Sequence, residues 1–263
     1  MIERLEIERL VVLRARPKRT THVAVVFVHG YFADATIWNE WLPYFAERGF
    51  PAYALNLRGR RGSEPSGRLG RASIADFVDD ARAVVRHVAA EHGAPAAVGH
   101  SMGGLIVQRL AAEQAIRAAV LVTPAPPRGI TVLTRGVVVK QIKYLPSILA
   151  SRLVAPAARD LRALVLNRLE RAQQDTLIAS LVADSGRAAR DMSVTGVAVD
   201  RRQVRCPMLV VTGDDDRFIP RRISERVARR YGADLRVFEG HAHMIVVEHG
   251  WQAVASAIVD WLP

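Results

Sequence analysis

Short apolar runs alternate along this chain with longer segments in which apolar residues recur every three or four positions. Residues 23–28, 52–55, 94–98, 118–122 and 208–211 are brief and rich in Val, Leu, Ala and Phe, the pattern of strands buried in a sheet, and 235–238 reads as the last strand. Residues 5–13 add one or two edge strands. Between these runs the spacing predicts helices over 36–47, 74–91, 105–113, 221–231 and 252–261. The pattern is clearest over 74–91, where Ala75, Val78, Ala81, Val85, Val88 and Ala89 fall on one side. Strand and helix in alternation imply an α/β fold, with a doubly wound, mostly parallel sheet and helices on both faces.

The middle third breaks the alternation. From about residue 125 to 203 there is no convincing strand, and helical stretches are expected over 137–144, 148–154, 159–166, 171–182 and 186–192. Pro146 and Pro156 should interrupt them as helix breakers.

Candidate chemistry sits at the strand ends, where open parallel sheets bind ligands. Gly99-His100-Ser101-Met102-Gly103 lies between an expected strand and an expected helix. A G-x-S-x-G in that setting is a nucleophile elbow, so tight that glycine is needed on both sides of the serine. A serine hydroxyl needs a base, an orienting acid and oxyanion donors to react at neutral pH. Carboxylates follow the 208–211 strand at Asp214, Asp215 and Asp216, and histidines follow the last strand at His241 and His243. The order is nucleophile, acid, histidine.

These residues, with three further segments, resemble the α/β-hydrolase family. His29-Gly30-Tyr31 after the 23–28 strand is similar to the family's oxyanion loop. The segment from Asn56 to Ser63 is similar to D-x-R-G-x-G-x-S, with Asn56 in place of Asp and Arg61 in place of Gly. Gly213 to Pro220 matches G-x-x-D-x-x-(V/I)-P, and Gly240 to His243 matches G-x-x-H. The resemblance implies Ser101 as nucleophile, His243 as base and Asp216 as acid, with the backbone N–H groups of Tyr31 and Met102 as oxyanion donors. Some members carry the acid one strand earlier; here Thr123-Pro124-Ala125-Pro126 offers no carboxylate. Residues 125–203 would be a helical cap inserted before the acid-bearing strand, over a core of 1–124 and 204–263. Phe32, Ile142, Tyr144, Leu145, Phe218, Ile219 and Met244 are the candidate pocket residues, with Val138, Ile148 and Leu149 as further apolar cap contacts. His29 and His100 are expected to brace their loops. Serine at the elbow argues against dehalogenase or epoxide-hydrolase chemistry, for which relatives carry a carboxylate there.

Composition changes this picture little. The 263 residues are 50% hydrophobic and 24% charged, as expected of a soluble globular protein. A formal net charge of +11 and the fragment Arg58-Gly59-Arg60-Arg61-Gly62 raise nucleic-acid binding, but the fragment is a single short copy within a hydrolase-like loop. No nucleic-acid partner is expected. No apolar run reaches the ~20 residues of a membrane span, so stable membrane insertion is not expected either. The first nine residues lack the apolar core of a signal peptide, which fits a cytoplasmic location. Cys206 is the single cysteine, expected as a buried inert thiol. The histidines show no zinc-binding spacing, and neither metal nor cofactor is expected. The expected activity is hydrolysis of small to medium hydrophobic carboxylic esters. Lactonase, thioesterase, amidase and cofactor-free perhydrolase are alternatives on the same triad, and a hydrolase-fold receptor is the non-enzymatic one.

Overall fold

Strands without polar side chains on either face belong in the middle of a layered α/β molecule. The computed structural model, which describes residues 1–64, 68–132 and 142–263, has them there. In chain order the strands are β1 (Ile2–Ile7), β2 (Leu10–Ala15), β3 (Val25–Val28), β4 (Ala52–Leu55), β5 (Ala96–His100), β6 (Ala118–Val122), β7 (Leu153–Val154), β8 (Asp184–Ser185), β9 (Met208–Gly213) and β10 (Asp234–Phe238). Eight of them form one sheet in the order β1-β2-β4-β3-β5-β6-β9-β10. The β1–β2 and β2–β4 pairs are antiparallel and all later pairs parallel.

The two-residue period sorts the central strands onto two cores. Val26 and Val28 of β3, Ala119 and Leu121 of β6, and Met208 and Val210 of β9 face one core, beneath α2 (Ile74–His92) and α3 (Met102–Ala112). Val25 and Phe27, Val120 and Val122, and Leu209 and Val211 face the other. That second core holds Trp41 and Phe45 of α1 (Trp41–Glu47) and Val254 and Ile258 of the final helix, Trp251–Trp261. α2 starts at a capping box in which Ser73 Oγ accepts the Asp76 N–H and the Asp76 carboxylate accepts the Ser73 N–H, 3.2 and 2.7 Å.

One expected core helix divides. Residues 36–47 form a 3-10 turn, Ala35–Trp38, capped by Asp34, and then α1. Pro43 has no N–H to give to a preceding turn, so it is accommodated only within the first turn of a helix that begins at Trp41.

The segment between β6 and β9 departs further from expectation. Its helices are α4 (Leu145–Leu149), α5 (Ala158–Leu164), α6 (Arg171–Ser180) and α7 (Gly186–Arg190), the last followed by a π turn over Asp191–Thr195. Pro146 does not break a helix; it sits in the first turn of α4, where its missing N–H costs nothing. The helix expected over 148–154 therefore ends at Leu149, and Leu153–Val154 instead pairs antiparallel with Asp184–Ser185. Strand pairing was not expected here, because two residues are too few to show a period. Of the helix expected over 137–144, Ile142–Tyr144 forms a 3-10 turn; the rest, with Val138, lies outside the described residues. Cys206 is only partly buried, and burial raises its thiol pKa.

Candidate active site

The parallel strands end on one edge, and the loops that leave them converge there. β5 feeds Ser101, β3 feeds His29 to Phe32, β9 feeds Asp216 and β10 feeds His243. Ser101 sits at φ 53° and ψ −114°, a left-handed conformation rare for a residue with a side chain. The turn tolerates no neighbours: a Cβ at Gly99 would overlap the Gly103 carbonyl, and one at Gly103 the Val28 carbonyl. The first turn of α3 begins at the next residue, so its unpaired N–H groups and dipole lie behind the Ser101 hydroxyl.

A continuous hydrogen-bond chain joins three of the expected residues. His243 Nε2 lies 3.1 Å from Ser101 Oγ, and His243 Nδ1 lies 2.8 Å from Asp216 Oδ2. With the proton on Nδ1 donated to the carboxylate, Nε2 is free to accept from the serine hydroxyl. The other Asp216 oxygen accepts the N–H groups of Phe218 and Ile219 at 2.9 and 2.8 Å, which fixes the carboxylate plane. All three side chains are buried.

The neighbouring carboxylates and histidine serve elsewhere. Asp214 accepts the Gly240 N–H at 2.8 Å, tying the β9 and β10 loops together. Asp215 pairs with Arg168 at 2.7 Å, and His241 turns to Glu248 at 3.2 Å.

His29 and His100 brace the site. His29 Nδ1 donates to the Gly30 carbonyl and its Nε2 accepts the Leu57 N–H, 2.8 and 3.2 Å. His100 Nε2 donates to the His243 carbonyl at 2.9 Å, and Thr123 Oγ1 donates to the same oxygen at 3.2 Å. Burial, followed for His29 by the Arg60 charge and for His100 by His243, lowers both imidazoles to about 3. Each therefore stays neutral in the native state while its unfolded counterpart protonates near 6.5. Between those values the unfolded chain binds more protons, so stability is lost as pH falls through about 6.5 towards 3. The melting temperature is expected to drop across that window, and less steeply in His100→Gln, whose amide can still donate to the His243 carbonyl. A variant profile parallel to the wild type would show that His100 does not contribute.

The loop after β3 is tied to a segment more than 150 residues further along the chain. Among the described residues, the N–H groups of Tyr31 and Met102 have no hydrogen-bond acceptor. The Tyr31 hydroxyl donates to the Ser185 carbonyl at 2.7 Å, and the Phe32 N–H to Asp184 Oδ2 at 2.8 Å. Asn56 Oδ1 accepts the Ala35 N–H at 2.8 Å, so the departure from Asp leaves a neutral acceptor in a buried place. Arg61 pairs with Asp34.

The pocket candidates divide. Phe218 stands edge-on to the His243 ring, centroids 5.1 Å apart. Phe32, Tyr31 and Tyr144 pack around Ile148, Val154 and Ala189. Ile219 and Met244 are buried in separate core clusters, whereas Ile142 is 64% and Leu145 39% exposed. Sequence reasoning missed Arg60, Asp184 and Ser185. Arg60 stands in an arginine-rich loop that reads as solvated, and no pattern links it to residues more than a hundred positions away. Among the described residues, no three His, Cys, Asp or Glu side chains gather into a group that could hold a metal ion. No helix among them is long and apolar enough to cross a membrane.

Comparison with known proteins agrees with this architecture. A monoacylglycerol lipase of Mycolicibacterium smegmatis is 29% identical over 251 residues, covering 90% of this chain and 87% of the relative. A non-heme chloroperoxidase, CPO-A1, of Kitasatospora aureofaciens is 23% identical, covering 86% of each. Among solved structures, a lipase-esterase related protein from Clostridium acetobutylicum superposes with a TM-score of 0.78 at 17% identity, over 97% of this chain and 100% of that one. Carboxylesterase CesB from Bacillus subtilis gives 0.72 at 16%, over 99% and 91%. At those identities the structural likeness speaks for the fold. The family described as serine aminopeptidase, S33, matches residues 19–250, and in keeping with its sheet order and elbow the chain belongs to that family of α/β-hydrolase serine hydrolases.

Proposed function

We propose that this enzyme cleaves carboxylic esters of small to medium hydrophobic substrates through a covalent acyl-serine. The observation that carries the reading is the unbroken chain of hydrogen bonds from Ser101 through His243 to Asp216. His243 Nε2 takes the Ser101 proton as Oγ attacks the ester carbonyl carbon. Asp216 holds the imidazole tautomer and stabilises the imidazolium. The carbonyl oxygen becomes an oxyanion, which the Tyr31 and Met102 N–H groups receive; one such donor contributes about two to three orders of magnitude in turnover. Collapse expels the alcohol, protonated by His243. Water, deprotonated by the same imidazole, then releases the carboxylic acid and restores Ser101. In this reading residues 125–203 are the cap over a core of 1–124 and 204–263, and the partner is a small-molecule ester.

The relative named as a chloroperoxidase favours one second reading. Hydrogen peroxide in place of water would attack the same acyl-serine and give a peracid, with no change of triad. A panel of p-nitrophenyl esters of increasing acyl length, run with and without peroxide, tests both. The expected result is p-nitrophenol release from the shorter esters, with acid as the main product. Peracid as the main product would favour the second reading, and no turnover of any ester would overturn the first.

A further inference from the structure

We propose that Asp184, held by Arg60, is a positioning residue that aims the Tyr31 N–H into the oxyanion hole; this rests on the ester-hydrolase reading above. Tyr31 is gripped at both ends by one short segment. Its hydroxyl donates to the Ser185 carbonyl at 2.7 Å, and the peptide that follows it gives the Phe32 N–H to Asp184 Oδ2 at 2.8 Å. The Phe32 carbonyl accepts the Val182 N–H at 3.0 Å, so three hydrogen bonds join the loop to that segment. Phe32 has φ +67°, a conformation its side chain disfavours, and such a backbone persists only where its surroundings hold it.

Arg60 completes the grip. Its Nη2 lies 2.5 Å from Asp184 Oδ2, an ion-pair contact without the alignment of a hydrogen bond, and both side chains are 0% exposed. Its Nε donates to the Ala33 carbonyl at 3.2 Å, so one guanidinium holds Asp184 and the far end of the same loop. A fully buried pair gives up hydration on both sides and is often no more stabilising than apolar residues of the same size. What the pair contributes is the place of one Asp184 oxygen, and it is that acceptor, more than the charge, to which the Phe32 N–H must point. The Tyr31 N–H lies in the peptide before its Cα and the Phe32 N–H in the one after, so anchoring that second peptide together with the Tyr31 side chain confines the directions left to the oxyanion donor.

The test compares two double variants that both remove the buried charges. Arg60→Met/Asp184→Asn keeps an oxygen for the Phe32 N–H, whereas Arg60→Met/Asp184→Leu does not. Below the melting temperatures of both, the Asn form is expected to retain kcat within about fivefold of wild type. The Leu form is expected to lose about 10- to 100-fold, less than or comparable to deletion of a donor, with KM within about twofold. An alkylboronic acid, whose tetrahedral adduct on Ser101 places an oxygen in the same hole, should lose affinity in parallel with kcat. A merely structural role would lower the melting temperature and leave kcat and boronate affinity alike in the two forms, and that result overturns the proposal. Should leucine prevent folding, Arg60→Met/Asp184→Ala is read in the same way. A wild type inactive on every ester would overturn the ester-hydrolase reading itself, so the two failures are distinguishable.

Discussion

Ser101→Ala is expected to lower kcat for p-nitrophenyl ester hydrolysis by about five to six orders of magnitude while the protein melts within a degree or two of wild type. The size follows from the way a triad works: without the nucleophile, the base and acid have nothing to activate, and only binding and the oxyanion donors remain. The stability half follows from the structure. Among the described residues the Ser101 hydroxyl makes one side-chain hydrogen bond, to His243 Nε2, and its positive φ is tolerated as well or as poorly by alanine. The elbow itself depends on Gly99 and Gly103, which the substitution leaves alone. Steady-state kinetics and a thermal melt on the same preparation check both halves. Retention of more than a few per cent of activity would mean that another group attacks the ester.

Asp216→Asn is expected to cost about four orders of magnitude in kcat, and His243→Ala somewhat more. The asparagine can still accept the Phe218 and Ile219 N–H groups through its Oδ1, which turns its amide towards His243 Nδ1. Nδ1 must then accept, the proton moves to Nε2, and the imidazole can no longer take one from Ser101. The neighbouring carboxylates serve as internal controls. Asp214→Asn loosens a loop-to-loop contact with Gly240, and Asp215→Asn a partly exposed ion pair with Arg168. Both should stay within about tenfold of wild type, as should His241→Asn, because none of these groups touches the reacting atoms. A larger loss from Asp215→Asn than from Asp216→Asn would contradict the assignment of the acid.

The parts of the site that were legible in the sequence are those governed by local rules. Ser101 needs a glycine two residues away on each side because of backbone overlap within a single turn, and that demand is written in five consecutive letters. Asp216 and His243 could be narrowed only by resemblance, since Asp214, Asp215 and His241 stand equally close to the strand ends. What separates them is direction: the β9 loop turns one carboxylate inward on two backbone N–H groups and leaves its neighbours to Gly240 and Arg168. The buried strands were legible because both faces are apolar, and α2 because its apolar stripe and Ser73 cap agree.

Illegible features depend on contacts between distant residues or on very short elements. The Leu153–Val154 and Asp184–Ser185 pairing has too few residues for any period, yet it presents the Asp184 carboxylate to Phe32. Arg60 lies among other arginines whose side chains reach solvent, and only the packed fold reveals that its own is fully enclosed. Pro43 and Pro146 were each visible in the sequence, but whether a proline starts or stops a helix depends on which residue begins the first turn.

The most direct measurement of the central claim is intact-protein and peptide mass spectrometry after reaction with a fluorophosphonate, which phosphonylates an activated serine and releases fluoride. One adduct per chain, located on the Ser101 peptide, formed at the rate at which esterase activity disappears and suppressed in His243→Ala, is the result expected. Loss of activity with the adduct on another residue, or full activity with Ser101 modified, would contradict the account.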